Sequence, residues 1–359
     1  MSENAVTITP DDETDGGEVS TDRTLGQRLK QLSTTPILVT LLFLLVLLAI
    51  FSAMAPGKFG TSSNLGLLAQ NVAILTVVSV GTTFIIATAG IDLSIPSGII
   101  LGEVFAAQAL KLMSAPGGGT ALDVQASDTT AGYILGALAA ALLAGLIIGA
   151  INGFVVAYLH IPPMLATLGT LGAGLGVALL LQNGVNVASY ALNPVATSHL
   201  IPGVTNLILI ALLVVAVGYV GLHYSVFGRH TLAIGSNEEA ARRVGLKVQR
   251  HLLKVYILGG VANGFAGFLS LAYFSTTSVG GHSTDNLQAI TAVALGGTSL
   301  FGGVGTIIGT LIGVWIPAVL QNGFIIVGVN PYWQMIAVGV VLILAVWLDQ
   351  LRRRSQNRR

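Results

Sequence analysis

The side chains able to do chemistry in this sequence are few, and they sit in unusual surroundings. Glu103 lies near the middle of an apolar run, 94–113. A carboxyl group costs roughly 3 kcal/mol at the centre of a bilayer, so it must face protein, water or a partner. The chemistry open to it is hydrogen bonding, to a polar solute or to another helix. Asn71, Asn152, Asn263 and Gln321 are neutral groups of the same kind, and ties between packed helices account for them equally well. Asp92 and Ser94 stand just ahead of Pro96, which is the composition of a helix N-cap.

Other chemistries are missing. There is no G-x-x-x-x-G-K-[ST] loop to hold a nucleotide and no H-E-x-x-H metal motif. The six histidines are scattered, and no G-x-S-x-G nucleophile elbow occurs. With no cysteine, disulfides and thiolate chemistry are excluded. No catalytic residue, metal site or cofactor is expected within the chain.

These polar residues are carried by a membrane protein. Of 359 residues, 53% are hydrophobic and 9% are charged, and the mean hydropathy is +0.83. Soluble domains carry about 25% charged residues, so a cytosolic enzyme, a nucleic-acid binder and a disordered chain are all excluded. Runs long enough to cross a bilayer as helices cover 36–56, 69–89, 94–113, 133–157, 163–182, 204–222, 253–274, 304–323 and 331–349. A shorter piece, 287–299, is broken by Gly296-Gly297. The runs are continuous rather than alternating, which excludes a β-barrel. The expected fold is an all-α polytopic bundle of about ten transmembrane helices.

Basic residues give an orientation. Arg23, Arg28 and Lys30 precede the first run, six more fall between Arg229 and Lys254, and five between Arg352 and Arg359. Only Lys58 and Lys111 of the 16 lie elsewhere. Cytoplasmic loops carry the excess of Lys and Arg. All three basic segments share the cytoplasmic face if ten spans are present, with 287–299 crossing and both termini inside. Tyr332 and Trp333 at one end of the last run and Trp347 at the other match interfacial belts. Residues 1–35 hold seven acidic residues and no apolar periodicity, and read as a disordered cytoplasmic tail. The domain plan is therefore this tail, a permease-like body over 36–350, and a basic tail over 351–359.

Small residues recur every four positions at Ala141, Gly145, Gly149 and Gly153, at Gly305, Gly309 and Gly313, and at Gly260 and Gly264. Such stripes let helix backbones approach closely, within the chain or between subunits. A weak internal echo links Gly90, Asp92 and Ser94 with Gly297, Thr298 and Ser299: both are Gly-flanked polar breaks between apolar runs. Paired breaks point to two pseudo-repeated halves and a translocation path. The loop 223–252 is the one long cytoplasmic connection. In it Ser236, Asn237, Glu238, Glu239, Ala240, Ala241, Arg242, Arg243 and Gly245 read as a helix of about two turns. Ser236 and Glu239 have capping-box spacing, acids lead and bases trail, and Gly245 ends it. Such a helix is a handle for a cytoplasmic partner.

Four stretches carry a resemblance. They are Ala89-Gly90-Ile91-Asp92-Leu93-Ser94, Ile161–Thr170 (IPPMLATLGT), Ala233–Arg242 (AIGSNEEAAR), and Ala294–Leu300 (ALGGTSL) followed by Gly302-Gly303 and Gly305-Thr306. In this order, over roughly 36–350, they resemble the ribose-type membrane permeases of bacterial ABC sugar importers, related to branched-chain amino acid permeases. The resemblance implies a pair of permeases, as a homodimer or with a paralogue, embedded in the lipid of the cell's inner membrane. It further implies ATP-binding cassette ATPase subunits that hold the ATP and magnesium, an extracytoplasmic sugar-binding protein, and no nucleic acid. The pathway would carry a pentose, hexose or polyol, and the helix from Ser236 to Gly245 would couple to the ATPase. The alternative is a self-sufficient secondary transporter working through Glu103 or Asp92.

Overall fold

The computed structural model describes residues 36–114, 130–330 and 332–356. The acidic tail, most of the 114–130 connection and residues 357–359 lie outside them. Every regular element among the described residues is a helix: α1 (Pro36–Met54), α2 (Ser62–Ala87), α3 (Ile95–Ser114), α4 (Ala131–Ala157), α5 (Pro163–Gln182), α6 (Asn193–Thr197), α7 (Asn206–His223), α8 (Val226–Ser236), α9 (Glu238–Arg243), α10 (Val248–Phe274), α11 (Asp285–Leu295), α12 (Ile307–Gly313), α13 (Trp315–Val327) and α14 (Tyr332–Gln356). Two isolated bridges, Ala188–Thr276 and Ile201–Val204, are the only β pairing among the described residues.

Eight stretches are long and apolar enough to cross a membrane: α1, α2, α3, α4, α5, α7, α10 and the combined α12–α13 stretch. In α14 the apolar part is shorter, Tyr332–Leu344. The run 287–299, expected to cross, is a half-length helix. The 11 residues of α11 rise about 16 Å at 1.5 Å each, half of the roughly 30 Å hydrocarbon core. It stops because Gly297 has φ +92°, and Gly302 and Gly303 both have φ +80°, a region that non-glycine residues rarely enter. The missing depth is supplied by the 275–284 connection, which reaches down to Glu103 inside α3. Irregular backbone at membrane depth is tolerated only where it is buried in protein or lines a cavity.

Most residues of α2, α3 and α10 are buried, whereas only about a quarter are in α1, α5 and α7. The glycine stripes explain how the centre closes. On α4, Gly145 packs so tightly on α10 that a Cβ would fall on the Gly260 carbonyl oxygen, and a Cβ at Gly260 would in turn lie 2.6 Å from the Gly149 Cα. Similarly, a Cβ at Gly102 of α3 would meet the Gly264 carbonyl oxygen at 2.5 Å. Gly309 and Gly313 pack in the same manner on Gly296 and Ala292 at the end of α11, whereas Gly305 faces the Ala87 and Leu222 side chains. With no hydrophobic drive between helices in lipid, such backbone proximity is a principal source of cohesion.

The two chain breaks meet at one end of the bundle, where the Gly303 amide donates to the Ala87 carbonyl at 3.0 Å. The Leu93 amide donates to Thr167 Oγ1 at the same end. So does the Thr40 hydroxyl to the Leu295 carbonyl, which brings the start of α1 there as well. On α14, Leu342 packs with Ile86 and Val293, directing its C-terminal part to this end. The start of α1, the C-terminal part of α14 and the junction of α8 with α9 therefore share one end. Exposed Tyr332 and Trp333 mark the opposite end of α14, with exposed Trp347 toward the first, as belt spacing predicts.

Candidate functional site

At the opposite end, a cavity of about 320 Å³ opens between α2, α11 and α13. Its polar lining is Asn71, His282, Thr284, Asp285, Gln288, Gln321 and Asn322. Two of the intramembrane amides singled out in the sequence, Asn71 and Gln321, thus face the same space and are exposed to it. Nearby, Asn64 and Asn322 exchange hydrogen bonds at 3.0 Å and tie α2 to α13 at the rim. Polar groups converging in an otherwise apolar wall are suited to a hydroxyl-rich solute.

Glu103 does not face this cavity directly. It is fully buried, and its carboxyl accepts from the Ser278 amide at 2.8 Å and meets His282 Nε2 at 2.9 Å. Ser270 Oγ also lies 3.1 Å from that nitrogen. The other ring nitrogen, Nδ1, meets Asp285 Oδ2 at 2.7 Å. Only the doubly protonated ring can donate to carboxyl groups on both sides. Glu103 is therefore a strut that holds the 275–284 connection at depth, with His282 carrying its reach to the cavity wall.

Asn152 and Asn263 belong to a different feature. Asp92 Oδ1 accepts from the Ser94 amide at 2.8 Å and from its hydroxyl, and Asn263 Nδ2 donates to Asp92 Oδ2 at 3.4 Å. Asn152 Nδ2 donates to Ser94 Oγ at 2.7 Å and Asn152 Oδ1 accepts from Thr170 Oγ1 at 2.6 Å. This buried chain links α10, the first break, α4 and α5. The expected capping by Asp92 takes the form of a turn closed on Ser94, with Ser94 then accepting from the Gly98 amide. Gly90 is needed because a Cβ there would lie 2.7 Å from Tyr256 Oη. In the second break Thr298 Oγ1 accepts from the Thr306 amide, and Ser299 Oγ from Phe301.

The surface helix is shorter than its sequence suggests. α9 is six residues, Glu238–Arg243, and its cap is Asn237, whose Oδ1 accepts from the Ala240 amide at 2.9 Å. Ser236 instead ends α8, an 11-residue helix that the loop reading leaves unassigned. Asn237 wins the cap because Ser236 is already wound into α8. Arg242 pairs with Glu238 at 2.8 Å and Arg243 pairs with Glu239. Gly245, at φ +88°, closes the helix as expected. Ala240 is exposed, while Ala241 is buried with Ile234 and Val248, so only one of the two alanines is free for docking. The α8–α9 junction rests on both breaks. A Cβ at Gly235 would lie 2.7 Å from the Gly303 amide nitrogen and would fall on the Ala87 carbonyl oxygen.

Sequence reasoning passes over His282, Asp285 and Gln288. The available signal was the three-residue spacing from His282, just ahead of α11, to Asp285, its first residue, which a single turn brings together. A bundle of membrane-length helices, with a polar cavity at one end and an ion-paired surface helix resting on two chain breaks at the other, is a multi-pass membrane permease. Over residues 64–346 the chain matches the family model described as branched-chain amino acid transport system / permease component, and it belongs to that family. It is 35% identical over 327 residues to the ribose import permease protein RbsC of Escherichia coli (strain K12), covering 88% of this chain and 94% of that protein. Against the fructose import permease protein FrcC of Rhizobium meliloti it is 30% identical over 344 residues, 93% and 91% of the two chains. The galactose/methyl galactoside import permease protein MglC of Escherichia coli (strain K12) is 34% identical over 317 residues, 86% and 92%. No solved structure matches the chain.

Proposed function

We propose that this chain forms the membrane pathway of an ABC-type importer for a sugar or polyol. In this reading an extracytoplasmic binding protein delivers the solute to the cavity end, and separate ATPase subunits, holding ATP and magnesium, dock at α9. Both termini and α9 are cytoplasmic, as the concentration of basic residues in these three segments of the sequence supports. Two permeases assemble in the lipid bilayer, as a homodimer or with a paralogue. The observation that carries the reading is the outer cavity, whose hydroxyl, amide, imidazole and carboxyl groups stand in an otherwise apolar wall. The kinship with ribose, fructose and galactose import permeases supports a sugar as the solute.

Uptake of labelled ribose, fructose and galactose into vesicles tests it, with and without ATP and with and without a co-expressed ATPase. One of the sugars should enter only when both are present. Removing two polar contacts by Asn71→Leu and Gln321→Leu should lower uptake about tenfold or more, since each lost hydrogen bond costs about 1 kcal/mol. Uptake driven by a proton gradient without any ATPase would overturn this reading in favour of a secondary transporter.

A further inference from the structure

At the α9 end a second cavity, of about 500 Å³, is lined by Lys247, Arg250 and Lys254 together with His230 and His251. No acidic residue lines it. Among the described residues none of these three cations forms an ion pair, in contrast to Arg242 and Arg243 next door, which are neutralised by Glu238 and Glu239. Lys247 stands just ahead of α10, and Arg250 and Lys254 follow at spacings of three and four, so all three lie along one side of the helix start. That face then changes character: past Lys254 it continues as Ile257, Leu258 and Val261, which line a third cavity of about 550 Å³. The walls of this cavity are almost wholly apolar, contributed by α2 and α7, and it shares Lys254 and Phe227 with the basic cavity.

One ligand shape fits a cationic basin continuous with an apolar groove along a membrane-spanning helix. We propose that this surface binds an anionic phospholipid, its phosphate on Lys247, Arg250 and Lys254 and an acyl chain in the groove between α2, α7 and α10. From Lys247 to Val261 is 14 residues, a rise of about 21 Å, which places the first half at headgroup depth and the second among acyl chains. Lys254, which lines both cavities, bridges the two. The site depends neither on the transported solute nor on the ATPase.

The test uses the full-length protein purified in a neutral detergent, with native mass spectrometry counting retained lipid. Each basic residue near an anionic headgroup contributes roughly fivefold in affinity. Dioleoyl phosphatidylglycerol should therefore be retained about a hundredfold more strongly than dioleoyl phosphatidylcholine. The triple variant Lys247→Gln, Arg250→Gln, Lys254→Gln should lose that preference while keeping its delipidated melting temperature. Dihexanoyl phosphatidylglycerol and inorganic phosphate should both compete poorly, because neither fills the groove. Equal retention of the two dioleoyl lipids by the wild type would overturn the proposal. So would competition by inorganic phosphate as strong as that by the long-chain lipid, which would assign the basin to a free anion. If the triple variant keeps its lipid preference but no longer co-purifies with the ATPase, the cations belong to the ATPase interface and the proposal fails. Should the triple variant not fold, the wild-type comparisons of headgroup and chain length still decide.

Discussion

Gly145→Leu is expected to abolish the folded permease, or to lower its melting temperature by about 10 °C or more in detergent. The Gly145 position on α4 has no room for a side chain. A Cβ would overlap the Gly260 carbonyl oxygen and stand 3.0 Å from the Gly264 Cα. Both obstacles are backbone, so no rotamer change relieves them, and α4 must move away from α10. Overpacking against adaptable side chains costs about 1–3 kcal/mol; against backbone the cost is at the top of that range or beyond it. Each kcal/mol shifts melting by roughly 2–4 °C in a chain of 150–250 residues. Moving α4 would also strain the Asn152–Ser94 bond that ties α4 to the first break. Gly169→Leu is the control, because α5 leaves open space at that glycine. Size-exclusion profiles and melting curves of the two variants should diverge. A Gly145→Leu protein as stable as the wild type would show that the glycine contact is not what closes the bundle.

The second large effect is expected at Ala240. Ala240→Trp should leave the permease folded and in the membrane, yet cut transport-coupled ATP hydrolysis by the partner about tenfold or more. Ala240 is exposed on α9 between two ion pairs that hold its neighbours in register, so a large side chain there obstructs docking without touching the core. The neighbouring Ala241 makes the contrast. It is buried with Ile234 and Val248, so Ala241→Trp should damage the α8–α9 unit itself and lower permease yield. Displacement of α9 reaches the bundle by two routes: through Gly245 into α10, and through Gly235 onto Ala87 and Gly303 at the two breaks. Reconstituted complexes, assayed for ATP turnover with and without solute, and for co-purification, measure the effect. Wild-type turnover and co-purification in Ala240→Trp would remove α9 from the coupling path.

Much of this architecture is legible from the residues alone. A helix in lipid must satisfy its own backbone hydrogen bonds, so an apolar run of about 20 residues folds as a helix whatever surrounds it. That locality is why the limits of α3, α5 and α7 lie within two residues of the runs that predict them. The gathering of basic residues and the stop at Gly245 are likewise matters of local chemistry. The half-length α11 is not. Its apolar run ends at glycines that tolerate a helix or a break, and only their packing against Gly309, Gly235 and Ser236 decides which. The amides make the same point. Asn71, Asn152, Asn263 and Gln321 look alike in the sequence, yet two face the outer cavity and two lie in a buried chain through Asp92 and Ser94. Partners 18 to 179 residues apart make these distinctions. His282 becomes conspicuous only when Glu103 and Asp285 are placed on either side of its ring. A side chain's presence in the membrane is a property of its own run, whereas its partner is a property of helix packing, which here depends on where glycine lets two backbones touch.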